Sequence, residues 1–186
     1  MPFNGVRTAA TVPERQDSGC ERGPAKGVSL RECIEMVSDP RNLDESVEEV
    51  FQLMLGFICQ RAETTAERGT ESVTAVVGFG GLLTGACIFS SDGVAALRIA
   101  GQMTGTELQE IDDTVKDAVG EICNMLAGAW KGKVPELAAN CGLSVPAVIT
   151  GRDYRLHVQA PEFQLHHLYR CGETAFEVRI VCDGLQ

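Results

Sequence analysis

Between Asp44 and Arg61, the apolar residues Val47, Val50, Phe51, Met54 and Ile58 recur at the spacing of one helical face. A longer helical pattern runs from Ile111 to Lys133 and must stop near Val134-Pro135, because a proline ring cannot continue a helix. Between the two the pattern changes. Ser72 to Phe79 is β-branched and apolar, Gly80-Gly81 offers a turn, and Leu82 to Phe89 reads as the returning strand of a hairpin. Asp92 to Met103 predicts a short helix capped by Asp92. Four strand candidates follow the long helix: Leu143 to Thr150, Tyr154 to Val158, Gln164 to Arg170, and Ala175 to Cys182. Nearer the start, Ser29 to Val37 predicts a short helix with Ser29 and Glu32 as a capping box, ended by Asp39-Pro40.

These elements predict an α+β fold, with two long helices packed on a largely antiparallel sheet of about six strands. Residues 1–28, rich in Gly, Pro, Ser, Thr and charge, read as a flexible tail. Residues 29–43 form a short helix and linker, and 44–186 form the main domain. The chain also repeats itself at an offset of 72 residues: Val47, Glu49 and Gly56 match Val119, Glu121 and Gly128, and Ser72, Val73, Ala75 and Val76 match Ser144, Val145, Ala147 and Val148. One gap-free offset serves both a helix and the strand after it, which predicts a duplicated helix–strand unit.

Composition narrows the function more than the fold. The 186 residues are 44% hydrophobic and 23% charged, enough for one domain to bury a core without metal or disulfides. A formal net charge of -10 argues against a nucleic-acid binder, which needs a basic stripe. No signal-peptide pattern and no apolar run of membrane-spanning length appears, so the expected compartment is the cytoplasm and no membrane partner is expected. None of the eight cysteines forms a CxxC or stands at zinc-finger spacing, and several lie in apolar runs, so they read as buried reduced thiols. Adjacent His166 and His167 point to opposite faces of a strand and read as structural.

The candidate chemistry lies on the long helix. At about 100° per residue, Asp117, Glu121, Asn124, Gly128 and Lys131 share one narrow face, while Val115, Val119, Ile122, Leu126 and Ala129 take the opposite one. A carboxylate and an amide thus stand one turn apart. From spacing alone, the stripe also reads as an ordinary solvated face. A glycine at 128 costs about 1 kcal/mol of helix stability relative to alanine and leaves room for another protein's backbone. No Ser/His/Asp arrangement, phosphate-cradling loop or HExxH motif points to a self-contained enzyme.

The run Asp117-x3-Glu121-x2-Asn124, followed by Pro146 on the next strand, resembles the signature of the CheC/CheX/FliY chemotaxis phosphatases. Val50 to Gly56, the Val73 to Phe89 hairpin, Gly120-Glu-Ile-Cys-Asn124 and Val148-Ile-Thr-Gly151 resemble segments of CheX-like members in the same order. The resemblance implies a hydrolase acting on the phospho-aspartate of a CheY-like receiver domain. Asn124 would position the attacking water and Glu121 would pair with the receiver's lysine. Asp117, Gly128 and Lys131 would contact the partner, and Pro146 would be a structural motif. The chain itself would bind no metal or other cofactor, and the receiver would supply Mg²⁺. A homodimer made by joining sheets is also implied, with the late strands offering an edge on which Phe176, Val178, Ile180 and Cys182 alternate. The first repeat copy reads Glu49-x2-Gln52, with an amide one methylene longer, and is expected to be scaffold. Two rivals stand beside the enzyme: a non-catalytic receiver-binding or signalling-assembly module, and a plain dimerisation domain.

Overall fold

Five helices and seven strands are formed by residues 30–63, 71–159 and 161–185, the residues described by a computed structural model of the chain. Helix α1 is Leu30–Val37; its expected cap, Ser29, lies outside the described residues. Helix α2 is Pro40–Leu55 and begins before the expected Asp44, because Asp39-Pro40 both ends one helix and starts the next. The Asp39 carboxylate accepts the Arg41 N–H at 3.0 Å, and proline's missing donor costs nothing in the first turn. Gly56, at φ 66°, ends α2 early, which leaves Ile58 outside the helix and 75% exposed.

Strand β1 (Gln60–Ala62) precedes the hairpin of β2 (Ser72–Gly81) and β3 (Leu83–Asp92). Helix α3 (Gly93–Thr104) starts at Asp92, whose side chain accepts the Ala95 N–H at 2.7 Å. Helix α4 (Asp113–Gly132) is the longest element, and Pro135 opens a further short helix, α5 (Pro135–Asn140). The chain ends with β4 (Cys141–Leu143), β5 (Ala147–Gly151), β6 (Phe163–Cys171) and β7 (Thr174–Leu185). With 16 residues in α2, 12 in α3 and 20 in α4, three helices rather than two make up the helical layer.

Every strand pairing is antiparallel, in the order β1-β6-β7-β3-β2-β4, with β5 also on β2. The expected six strands become seven for two reasons. Leu143 to Thr150 divides into β4 and β5, and β1 is too short to leave a pattern in the sequence. Tyr154 to Val158 is not a strand. The division is a bulge: between the pairs Val76↔Ala147 and Phe79↔Leu143, two residues of β2 face Ser144, Val145 and Pro146. Pro146 has no N–H for the ladder, and the Ser144 hydroxyl instead accepts the Gly78 N–H at 2.9 Å.

The repeat is visible in the register. Ala75 pairs with Val148; adding 72 to the first and subtracting 72 from the second gives Ala147 and Val76, which also pair. Two equivalent strands therefore meet about a local two-fold axis, as duplicated helix–strand units would.

The helices cover one face of the sheet. Val73, Ala75 and Val77 of β2 are completely buried there with Val119, Ile122, Leu126 and Trp130 of α4. Phe51 of α2 stacks on Phe176 with ring centroids 4.3 Å apart, and Phe79 lies against Trp130 at 5.2 Å. Phe176, Val178, Ile180 and Cys182 are part of this core, and β7 lies between β6 and β3, so β7 offers no pairing edge; of the late strands, β6 is covered by β1 only from Leu168 to Arg170. The sheet's edges are β1 on one side and β4 with β5 on the other. Residues 152–159 leave β5 across the opposite face of the sheet, where the Tyr154 hydroxyl donates to Thr74 Oγ1 at 2.8 Å.

The expectation of reduced thiols is corrected for one pair. The register that sets Gln60 against Arg170 puts Cys59 opposite Cys171, and these two form a disulfide with Cα atoms 4.5 Å apart. Cys33, Cys87, Cys123, Cys141 and Cys182 are free and buried, and burial raises the Cys182 thiol's pKa.

Candidate functional site

Helix α4 is fixed before its polar face is considered. The Asp112 carboxylate accepts the Val115 N–H at 3.1 Å and caps the helix. Asp113 pairs with Lys116 at 2.9 Å, and the hydrogen bond from that ammonium lowers the Asp113 pKa. One side of the helix is then locked into the core by Val115, Val119, Ile122 and Leu126, all 0% exposed.

On the opposite side, Asp117 and Glu121 are exposed, and Asn124 and Gly128 are half-buried. Neither Glu121 nor Asn124 makes a hydrogen bond or ion pair with another described residue. Around Gly128 the chain imposes no steric need for glycine, since an added Cβ would find only Leu143 Cδ1, at 4.0 Å. Lys131, grouped by the sequence with the partner contacts, is already engaged within the chain. Its ammonium donates to the carbonyls of Ala138 at 3.1 Å and Cys141 at 2.8 Å, bracing α5 and the start of β4.

Pro146 is exposed to solvent, yet its ring lies beside α4 at Gly120. A Cβ on Gly120 would stand 3.2 Å from Pro146 Cβ and 3.4 Å from Val148 Cγ2. Gly120 is therefore the residue that lets β5 and its bulge sit directly against the helix, one position before Glu121. The sequence showed Gly120 only as part of a phrase. The signal that could have marked it is a glycine inside a strong helix, on the core side of the polar stripe.

The first repeat copy is arranged differently. Gln52 is exposed on α2, but Glu49 pairs with Lys133 at 3.1 Å, and Glu45 approaches the same ammonium at 3.7 Å. The histidines do not join either stripe. His167 is buried, with Nδ1 2.8 Å from Asp44, and burial lowers its pKa although Asp44 acts in the other direction. His166 contacts Glu177 at 3.0 Å on the other face of the sheet. Among the described residues there is no group of three or more His, Cys, Asp or Glu side chains that could hold a metal ion, and no helix is long and apolar enough to cross a membrane.

The family profile described as chemotaxis phosphatase CheX matches residues 73–166, which is 94 of the 186 residues and includes α4 and Pro146. The CheY-P phosphatase CheX of Thermotoga maritima is 31% identical over 86 residues. That match spans 46% of this chain and only 56% of the relative's length. A crystal structure of the chemotaxis protein CheX from Desulfovibrio desulfuricans shares the fold at a TM-score of 0.65 and 21% identity, covering 80% of this chain and 99% of that one. The CheX-CheY-BeF3-Mg²⁺ complex from Borrelia burgdorferi matches at a TM-score of 0.62 and 20% identity, covering 77% and 97%. With the profile covering half the chain and the fold agreeing over most of it, the chain belongs to the CheX family of chemotaxis phosphatases.

Proposed function

We propose that the chain hydrolyses the phospho-aspartate of a CheY-like receiver domain, using the exposed stripe of α4. The observation that carries this reading is the pair of Glu121 and Asn124. They stand one turn apart on a rigidly seated helix, and neither is engaged with another described residue. A carboxylate and an amide so placed can enter another protein's site without first breaking contacts of their own. The relative named a CheY-P phosphatase, and the CheX neighbour seen together with CheY, support the choice of partner.

In this proposal Asn124 holds a water in line with the phosphorus. The water's oxygen bonds to phosphorus as the aspartyl oxygen leaves, giving inorganic phosphate and a free carboxylate. Glu121 pairs with the receiver's lysine and fixes the docking register, Asp117 borders the contact, and Gly128 lets the partner's backbone come close. Lys131 supports the face while holding α5. Such catalysis is positioning with electrostatic complementarity, as phosphoryl transfer generally requires. The Mg²⁺ belongs to the receiver. A homodimer with its α4 faces turned away from the interface belongs to the same proposal.

The test is a single-turnover decay of a phosphorylated receiver, with and without the chain. Accelerated decay that stops in chelator and returns with added Mg²⁺ is the expected result. A receiver that binds but decays at its own rate would make the chain a non-catalytic binding module. A tight one-to-one divalent-ion isotherm with the isolated chain would move the metal from the receiver to this protein.

A further inference from the structure

We propose that Cys59 and Cys171 form a reversible thiol–disulfide site, opened by dithiol reductants and closed by disulfide oxidants, and that opening it releases β1 from the border of β6. The bond joins the residue just before β1 to the last residue of β6, and it is the one covalent cross-link among the described residues.

Little else holds β1. It pairs with β6 through Gln60, Arg61 and Ala62 alone. Gln60 and Arg61 are exposed and Ala62 is half-buried, so the strand brings no fully buried side chain to the core. Arg61 lies 3.5 Å from Asp44, and an ion pair so open to water contributes little. With Cα atoms 4.5 Å apart, Cys59 and Cys171 oppose each other as a pair without mutual backbone hydrogen bonds. At this end of β1 the sulfur bridge therefore replaces the ladder. A three-residue strand with no buried face does not recover the backbone entropy lost in ordering it. In contrast, β6 pairs with β7 along its whole length and buries Leu165, His167 and Tyr169. Breaking the bond leaves β6 seated and frees β1. Upstream, Phe57 packs against the core and its N–H donates to Phe51, so the release begins after it.

The exchange balances within the pair and the reductant. Cys59 is half-buried and Cys171 is 6% exposed, so a thiolate of the dithiol attacks Cys59 Sγ. The S–S bond breaks, and Cys171 leaves as a thiolate and takes up a proton. The second thiol of the reductant then displaces Cys59, so that two electrons pass to the chain and the dithiol ends as a disulfide. The other thiols stay out of this exchange: Cys33, Cys141 and Cys182 are buried, and burial raises their pKa away from the reactive thiolate form. In the opened state the border of β6 is uncovered along residues 168–170, which β1 covers while the bond is closed. No residue of the α4 stripe takes part, so the site stands apart from the proposed phosphatase chemistry.

The experiment follows hydrogen exchange by mass spectrometry in the full chain after oxidised glutathione, after dithiothreitol, and after re-oxidation, with the thiol count read by alkylation. In dithiothreitol, exchange across residues 59–62 should rise about tenfold or more, while β2, β3 and β7 stay within about twofold. Limited trypsin should gain a cut after Arg61, and both changes should reverse on re-oxidation. Cys59→Ser should show the open pattern without reductant. The proposal is overturned if oxidised glutathione never closes the bond, if dithiothreitol opens it only in the unfolded chain, or if β1 stays protected after reduction. Loss of protection in β2, β3 and β7 together with β1 would also overturn it, by making the bond a staple of the whole fold.

Discussion

On α2, Glu49 reaches the Lys133 ammonium at 3.1 Å, whereas the corresponding Glu121 of α4 has no such partner among the described residues. The two helices descend from one pattern: Glu49 and Gln52 stand 72 residues before Glu121 and Asn124. Their supports differ as well. Where α4 has Gly120 against Pro146, the matching positions of the first copy hold exposed Glu48 and Thr74, which lies on the sheet's other face bonded to Tyr154. The strand therefore packs close to one helix and not to the other. An acid and an amide one turn apart do not by themselves make a site. What separates the copies is whether the acid is already satisfied and whether the helix is held at a fixed depth.

Four substitutions test that contrast. Asn124→Ala should slow receiver dephosphorylation about 100-fold, the scale for losing one positioned polar group, while Gln52→Ala should leave the rate near wild type. If single-turnover rates fell equally in both, the two stripes would be functionally equivalent and the contrast wrong. Gly120→Val would push a branched side chain into Pro146 and Val148, and should cost about 1–3 kcal/mol in urea unfolding. Glu48→Val, at the matching exposed position, should stay within about 0.5 kcal/mol.

The smallest effect has opposite signs in the two copies. Gly56 ends α2 at φ 66°, so Gly56→Ala should cost about 1 kcal/mol. Gly128 lies inside α4 with open space before it, so Gly128→Ala should stabilise by up to about 1 kcal/mol while weakening receiver binding. Stabilisation without any loss of receiver affinity, measured by titration, would remove Gly128 from the docking face.

Much of this was legible in the sequence because it is periodic. The long helix was expected from Ile111 to Lys133 and runs from Asp113 to Gly132, and the β2–β3 hairpin lies where its β-branched residues put it. The errors have local causes. Asp39-Pro40 reads as a stop in the sequence, although the same pair makes a good start with aspartate as cap and proline in the first turn. Ile58 continues the apolar period of α2 but lies beyond a left-handed glycine. Tyr154 to Val158 alternates like a strand, yet it crosses the sheet instead of joining it. The pairing of Cys59 with Cys171, 112 residues apart, depends on strand order that no local pattern carries. On the candidate face, the stripe itself was legible. The engagement of Lys131 with α5 and the seat of Pro146 on Gly120 were not, because each is a contact between elements.

The bulge at Ser144, Val145 and Pro146 also governs how the molecule meets other chains. A sheet edge is a row of open donors and acceptors on which a further strand can grow, and long flat edges are where proteins aggregate. Here the outer edge is cut into a three-residue piece and a five-residue piece, with a proline between them that has no hydrogen to offer. At the far side β1 covers only Leu168, Tyr169 and Arg170 of β6, and among the described residues no strand lies beside residues 163–167 there. A strand arriving at the β4–β5 border finds a broken ladder, whereas one arriving beside β6 finds a continuous run of five residues. The irregularity that seats β5 against α4 therefore also acts as a guard at its own border, so that any lengthening of the sheet is directed to the opposite side.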